Sequence, residues 1–336
     1  MLPSPEEVAQ DLKRLGMPCA GAPRLEPLPG DAGSRRYVRV RVEGRSLMLM
    51  LVPGKPDREL GDGETGGELP YLNLQRYLKK GGLPVPEIYG WARETGRLYQ
   101  EDFGSRHLSE AISLSLGGPS GSAYLEATKL LTGLQRLTPD PGCIAFRRSF
   151  DVAAIRAELT ECYEVGIPYA AKSPPSPQQA LGLQAELDTL ARDVAALPAC
   201  FSHRDYHGDN LLVRPDGTLG MIDFQDAFVA PRLYDLASLL TDRQAPAFLG
   251  GTGIETNLLS FAGAGGIPEK TARREFWLCA LQRQMKVAGR FVNLQRRGKP
   301  GYLKHLPATW GVIRQALPRA GFPRLQELLA SLGCPV

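Results

Sequence analysis

The hydrophobic pattern divides the chain into a strand-rich first part and a helix-rich remainder. Residues 37–42 alternate, with Val38, Val40 and Val42 on one side and Tyr37, Arg39 and Arg41 on the other, which predicts a half-buried strand. Glu43 and Gly44 form a tight turn into a wholly apolar strand at 47–52. An opening helix at about 5–15 stops at Gly16 and leads into a proline-rich stretch, 18–29. A mobile loop is expected over 55–67, then a helix at 70–80 between a starting proline and Gly81–Gly82. Two further strands flank the turn at Glu94–Gly96, and 100–104 closes this first lobe as a hinge. Beyond it the periodicity is helical: about 121–137, 151–165 with Asp151 as N-cap, and, after a linker at 171–178, a helix to about 197. Further helices are expected at 231–241 and 275–297.

The chain is organised around residues 202–226, SHRDYHGDNLLVRPDGTLGMIDFQD. An apolar run at 211–213, the turn Pro215-Asp216-Gly217 and a second run at 219–222 read as strand, turn and strand. Such a hairpin brings Asn210 and Asp223 near each other. Asp205, then Asn210 five residues on, then Asp223 after a hairpin is the arrangement used for phosphoryl transfer. The first Asp orients an attacking hydroxyl and takes its proton, while the Asn and second Asp hold Mg²⁺ against nucleotide phosphates. Asp, Asn and His are also common turn residues. Chance decoration of a surface hairpin does not explain all three positions at their required spacings.

Composition changes the picture little, and charge changes it more. At 336 residues, 43% hydrophobic and 23% charged, the chain is an ordinary globular protein of two domains or one large two-lobed one. The N-terminus lacks the basic start and apolar core of a signal peptide, and no apolar run approaches a bilayer span. Six scattered cysteines without CxxC spacing point to free thiols in a reducing compartment, so the expected location is the cytoplasm. Net charge is +4, but from Glu269 onward thirteen Lys/Arg face three Glu and no Asp. There is no Lys/Arg block with interleaved aromatics, so nucleic acid is not an expected partner, nor is a membrane or an obligate protein partner.

Three segments carry a family resemblance: GDAGSRRYVRV at 30–40, HRDYHGDN…IDFQDA…YDLASLL at 203–240, and QRQMKVAGRF…GKPGYLKHLP at 282–307. The whole chain resembles the aminoglycoside-phosphotransferase-like kinases, and within them the bacterial kinases of N-acetylmuramate and N-acetylglucosamine. The resemblance implies an α+β, protein-kinase-like two-lobed fold, with a small β-rich lobe at 1–102 and a larger, mainly helical lobe at 103–336. It implies ATP and Mg²⁺, with Asp205 as catalytic base and Asn210 and Asp223 as metal ligands. The phosphate-covering loop would be 30–36, including Gly30, Asp31, Gly33, Ser34, Arg35 and Arg36. The adenine-contacting hinge would include Glu101 and Phe103. IDFQ in place of DFG, His207 two residues after the base, and no following APE all argue against a protein substrate. One departure is clear: the strand at 47–52 lacks the lysine such kinases carry there. Arg35, Arg36 or Lys55 would substitute, or metal would hold the nucleotide, and Glu68 is the candidate for the lysine's helix partner.

The implied reaction is phosphorylation of the anomeric hydroxyl of an amino sugar in cell-wall sugar recycling. An aminoglycoside is a polycation and needs a carboxylate-lined pocket, whereas the carboxyl-terminal quarter is basic. The lactyl carboxylate of N-acetylmuramate could meet Arg283, Lys286 or Arg290, which share a helix face; the same stripe also fits the wet face of an amphipathic helix. His207, Gln225 and Asp226 are further candidates for sugar contact, and Asp235 for support of the catalytic loop. Phosphotransfer to an aminoglycoside, choline or homoserine, and nucleotide binding without turnover, are the alternatives.

Overall fold

The computed structural model describes residues 2–29, 35–52, 68–111, 122–243 and 245–336. Gly30, Asp31, Gly33, Ser34, Lys55 and the whole of the expected 55–67 loop lie outside the described residues. The chain forms two compact units, Met1–Ser105 with Leu212–Gln225, and Arg106–Leu211 with Asp226–Val336. All six cysteines are free thiols, four of them buried. Among the described residues no helix is long and apolar enough to cross a membrane.

The first unit opens on helix α1 (Pro5–Arg14), started by a capping box in which Ser4 and Glu7 satisfy each other's backbone amides. Strands β1 (Arg24–Pro27), β2 (Arg36–Val42), β3 (Arg45–Leu51), β4 (Ile88–Ala92) and β5 (Arg97–Glu101) form one antiparallel sheet in the order β1-β2-β3-β5-β4. Val38, Val40 and Val42 are buried as the alternation requires. They pack with Leu47, Leu49 and Tyr99 against Val8 and Leu12 of α1. Helix α2 (Pro70–Lys80) starts and stops where the proline and glycines predict.

Asp102, just past β5, ties this unit together. Its carboxylate accepts two bonds from Arg39 of β2, at 2.6 and 3.1 Å, one from Ser46 of β3, and one from the Gly104 amide at 3.0 Å. Both ion-pair partners are buried, at 4% and 11% side-chain exposure. The unit also includes the 212–225 hairpin, β7 (Leu211–Val213) and β8 (Leu219–Met221). This differs from a single boundary at 102/103, and the reason is packing. Met221 N donates to Pro84 O at 2.8 Å, and the Phe103 ring lies so close to Gly220 that a Cβ there would sit 2.4 Å from it.

In the second unit, short helix α3 (Leu108–Ala111) is followed by α4 (Ser122–Gln135), α5 (Val152–Glu161), α6 (Ile167–Ala170) and α7 (Pro177–Ala195). Asp151 caps α5 as expected, its carboxylate accepting from Ala154 N. The predicted 151–165 helix leaves the α conformation after Glu161 and becomes a π turn, Cys162–Gly166. There another helix backbone passes so near that a Cβ on Gly289 would lie 2.5 Å from the Glu161 carbonyl. Strands β6 (Ala199–Ser202) and β9 (Phe228–Pro231), neither of them expected, pair antiparallel. Pro231 therefore ends a strand, and helix α8 (Tyr234–Thr241) begins three residues later than predicted. Helix α9 (Ala245–Gly265) is broken at Gly250, and α10 (Glu269–Arg296) starts earlier than expected because its first turn, EKTARR, carries almost no apolar signal. Helices α11 (Leu306–Ala320) and α12 (Pro323–Ser331) complete the unit, with α11 packed along α10.

Burial alone would raise the Asp102 carboxyl, but the bonds from Arg39, Ser46 and Gly104 outweigh it and hold the group below its ordinary value. A depressed carboxylate adds stability above its unfolded value, and that stability is lost as pH falls through the folded value. Asp102→Ala should cost about 3–5 kcal/mol at neutral pH, because Arg39 is left buried and unpaired. Its stability should then fall less steeply than that of the native protein below about pH 4, the ordinary range for a carboxylate. Denaturant titrations at several pH values check both outcomes.

Candidate active site

The loop carrying Asp205 leaves β6 at His203 and is held by the first turn of α8. Asp235, 5% exposed, accepts from His203 N at 2.6 Å, Ser202 Oγ at 2.9 Å and Arg204 N at 3.1 Å. These bonds hold Arg204 at φ 79°, a left-handed conformation costly for a residue with a side chain. The support role expected of Asp235 therefore has a geometric basis. Tyr206 is fully buried and donates to Ala127 O of α4 at 2.8 Å. With residues 204 and 206 fixed, the half-buried Asp205 side chain between them has few orientations.

The rest of the loop is a 3-10 turn, Gly208–Asn210. Gly208 approaches α3 so closely that a Cβ would lie 2.9 Å from Ser109 N. Asp209 is structural: its carboxylate accepts from Ser109 Oγ and from Arg243, and its carbonyl meets His107 Nδ1 at 2.6 Å. Asn210 Nδ2 donates to the Asp205 carbonyl at 2.8 Å, which leaves its amide oxygen as the acceptor. His207 Nε2 lies 3.4 Å from the same amide nitrogen, so His207 belongs to the loop's own network.

Two of the three basic residues in the α10 stripe are turned inward rather than presented on a wet face. Arg283 is 5% exposed at its side chain; Nη1 donates to Arg204 O at 3.0 Å, and Nη2 lies 3.5 Å from Asp205 Oδ1. Lys286 pairs with Glu158 of α5 at 2.7 Å, and Glu158 also accepts from Gln282 at 3.0 Å. Arg290 is half exposed and 4.0 Å from Glu161. Arg283 and Lys286, expected to meet a substrate carboxylate, are thus already engaged within the protein. Burial by itself would raise the Asp205 carboxyl, but the charges of Arg283, Lys286, His207 and Arg204 together hold it far below the usual carboxylate range. Asp205 is ionised at neutral pH.

The first unit carries the other half of the motif. Asp223 adopts φ 62°, again left-handed without being glycine, and its Oδ1 accepts from Gln225 Nε2 at 2.9 Å. Gln225 is buried, so its amide orients Asp223, while Asp226 is exposed. Phe224 stacks on Tyr71 at 4.7 Å, and Tyr71 donates to Gln100 at 2.6 Å. Burial pushes the Tyr37 hydroxyl up to about 12, helped by the Asp223 charge and opposed by Arg35. Arg35, within the expected phosphate loop, and Asp223 therefore both lie within electrostatic reach of Tyr37. Arg36 is exposed. Glu68 bonds Arg76 at 2.6 and 2.7 Å and Asn73 at 3.2 Å. Glu101 accepts from Arg214 at 2.7 Å, and the Arg214 guanidinium lies 4.6 Å from the centroid of the buried Phe103 ring. Tyr37, Arg243 and Glu158 were not singled out from sequence, and nothing in their local spacing marks them.

Among the described residues no group of three or more His, Cys, Asp or Glu gathers as a metal site. A carboxylate oxygen of Asp223 and an amide oxygen of Asn210 are nonetheless the donor types that suit Mg²⁺, which keeps several of its waters.

Fold and loop together define a protein-kinase-like phosphotransferase. The solved structure of spectinomycin phosphotransferase in complex with ADP and spectinomycin has a TM-score of 0.61 at 13% identity, covering 95% of this chain and 99% of that one. The profile of the phosphotransferase enzyme family matches residues 24–269, and the chain belongs to that family of small-molecule kinases. An N-acetylmuramate/N-acetylglucosamine kinase of Pseudomonas putida is 29% identical over 90% of this chain and 86% of its own. One of the same description from Caulobacter vibrioides is 34% identical over 86% of each chain.

Removing the Asp235 carboxylate strands donors from three consecutive residues of the loop that leads to Asp205. Asp235→Ala should lower stability by about 1–3 kcal/mol, the cost of leaving buried donors unsatisfied, and should reduce turnover through loop disorder. Denaturant midpoint and kcat, measured on the same preparation, check it.

Proposed function

We propose that this enzyme transfers the γ-phosphoryl group of ATP to the anomeric hydroxyl of N-acetylmuramate, N-acetylglucosamine or both. The product is the sugar 1-phosphate, and the setting is the recycling of cell-wall sugars. The observation that carries the reading is the ionised, rigidly supported Asp205 with Asn210 bonded to its carbonyl, on a chain similar over most of its length to kinases of these two sugars.

In the proposed mechanism Asp205 accepts a hydrogen bond from the acceptor hydroxyl and points its oxygen at the γ-phosphorus. The new P–O bond forms as the bond from the γ-phosphorus to the β-γ bridging oxygen breaks. The hydroxyl proton passes to the Asp205 carboxylate, and ADP leaves. A strongly acidic Asp205 is adequate, because in a loose transition state the acceptor needs alignment more than early deprotonation. Asn210 and Asp223 are the residues that would hold Mg²⁺, which when bound neutralises phosphate charge. ATP would lie under the 30–36 loop. With the Phe103 ring occupied by Arg214 and Gly220, and Glu101 N bonded to Glu87 O at 2.8 Å, adenine recognition is assigned to the main chain of 102–103. Arg35 is assigned the part of the missing strand lysine. Its charge reaches Tyr37, as does that of Asp223, whereas Arg36 is exposed and Glu68 is committed to Arg76. His207, Gln225 and Asp226 are placed near the acceptor in this reading, with His207 and Gln225 serving mainly to orient Asn210 and Asp223.

ATP consumption with magnesium should be stimulated by N-acetylmuramate or N-acetylglucosamine and not by kanamycin or choline; preference for either of the latter would sink the substrate assignment. Asp205→Asn should lower kcat by about 10²–10⁴-fold with KM little changed. Arg35→Ala should raise KM for ATP roughly tenfold, the loss of a charge-assisted contact, and an unchanged KM would return the lysine's role to another group.

A further inference from the structure

We propose that Arg283 is a positioning residue for phosphoryl transfer: from α10 it fixes the catalytic-loop carbonyl of Arg204 and orients the Asp205 carboxylate, and does not read the acceptor. The inference rests on Asp205 being the base, as proposed above.

Burying a guanidinium is costly unless its hydrogens are matched. Arg283 meets this with three groups: Arg204 O at 3.0 Å, Tyr234 Oη at 3.4 Å and Asp205 Oδ1 at 3.5 Å. The Tyr234 ring centroid also lies 5.6 Å from the guanidinium carbon. Nη1 takes the main chain at residue 204 and Nη2 the side chain at 205. A rigid planar fork can hold two such acceptors in a fixed relation, and a point-charge ammonium cannot. The residue so gripped is the one that needs it. Arg204 is held in a left-handed conformation, with Asp235 on its amide and Arg283 on its carbonyl.

The surrounding charges single out Arg283 within α10. Lys286 is absorbed by Glu158, which also lies 3.7 Å from Arg204, and Gln282 is bonded to the same carboxylate. Arg283 is the cation of this helix, among the described residues, whose ion-pair partner is Asp205. The contact is loose, and the Asp205 side chain remains 38% exposed, so a carboxylate oxygen stays available to an incoming hydroxyl. Such an interaction biases direction without consuming the acceptor.

The test is steady-state kinetics of the full chain with ATP, magnesium and N-acetylmuramate or N-acetylglucosamine, comparing Arg283→Met and Arg283→Lys with the native enzyme, and thermal unfolding to show that each folds. Misaiming the acceptor by about 1 Å costs on the order of 10²-fold, so Arg283→Met should lose about that much kcat, with both KM values within about threefold. Arg283→Lys should recover part of the loss and stay below native. A raised acceptor KM at native kcat would place Arg283 on the substrate and overturn the inference, as would native kcat in either variant. If Arg283→Met does not fold, Arg283→Lys decides alone: reduced kcat at unchanged KM supports the role, and native kcat removes it. Failure of the underlying reading is separate, because it appears in the native enzyme as no transfer to an amino sugar, or in Asp205→Asn as retained kcat.

Discussion

The loop that carries Asp205 depends on one buried carboxylate. Asp235 takes the amides of His203 and Arg204 and the hydroxyl of Ser202, satisfying donors that no strand or helix satisfies there. Buried backbone amides must find partners, so the loop's path is dictated by where α8 places this one side chain. The left-handed Arg204 follows from that path, as does the direction in which Asp205 leaves the chain. Tyr206, anchored to Ala127 on the far side of Asp205, completes a three-point attachment.

Electrostatics then sets the state of Asp205. Burial works against its charge, and the positive groups around it, Arg283 and Lys286 foremost, outweigh burial. The cost is that the cations are spent. Glu158 neutralises Lys286, and Asp205 itself, with the Arg204 carbonyl, takes Arg283. Within a basic carboxyl-terminal segment, which by composition alone favours an anionic ligand, Arg283 and Lys286 serve as internal counter-charges, while most of the other Lys and Arg residues there are exposed. An anionic acceptor would have to meet other groups, or exchange one of these pairs.

In the first unit the hairpin bearing Asp223 docks through apolar and aromatic contacts: Phe103 against Gly220, Phe224 against Tyr71, and Arg214 against Phe103 and Glu101. The strand lysine is missing and β3 is purely apolar, while Asp102 binds β2, β3 and the residues after β5 into one network. Arg35 supplies positive charge beside Tyr37, which the Asp223 charge also reaches.

Much of this was legible in the chain. The 2.0-residue alternation of β2, the proline and glycines bounding α2, the Asp151 cap and the Pro-Asp-Gly turn are local signals, set by backbone sterics and side-chain spacing. The Asp205, Asn210 and Asp223 pattern was equally visible, because it depends on residue types at fixed separations. Strands β6 and β9 were not, since each is four residues long and finds its partner more than twenty-five positions away. The fate of Arg283 was hidden for the same reason. Helical spacing places Arg283, Lys286 and Arg290 on one side of α10, but only the packing of α5, α8 and the loop against that helix decides that two of them face carboxylates instead of water. Sequence thus determined many of the elements and the residue types of the candidate site. Tertiary structure alone decided which charges are paired, because pairing depends on desolvation by residues distant in the chain.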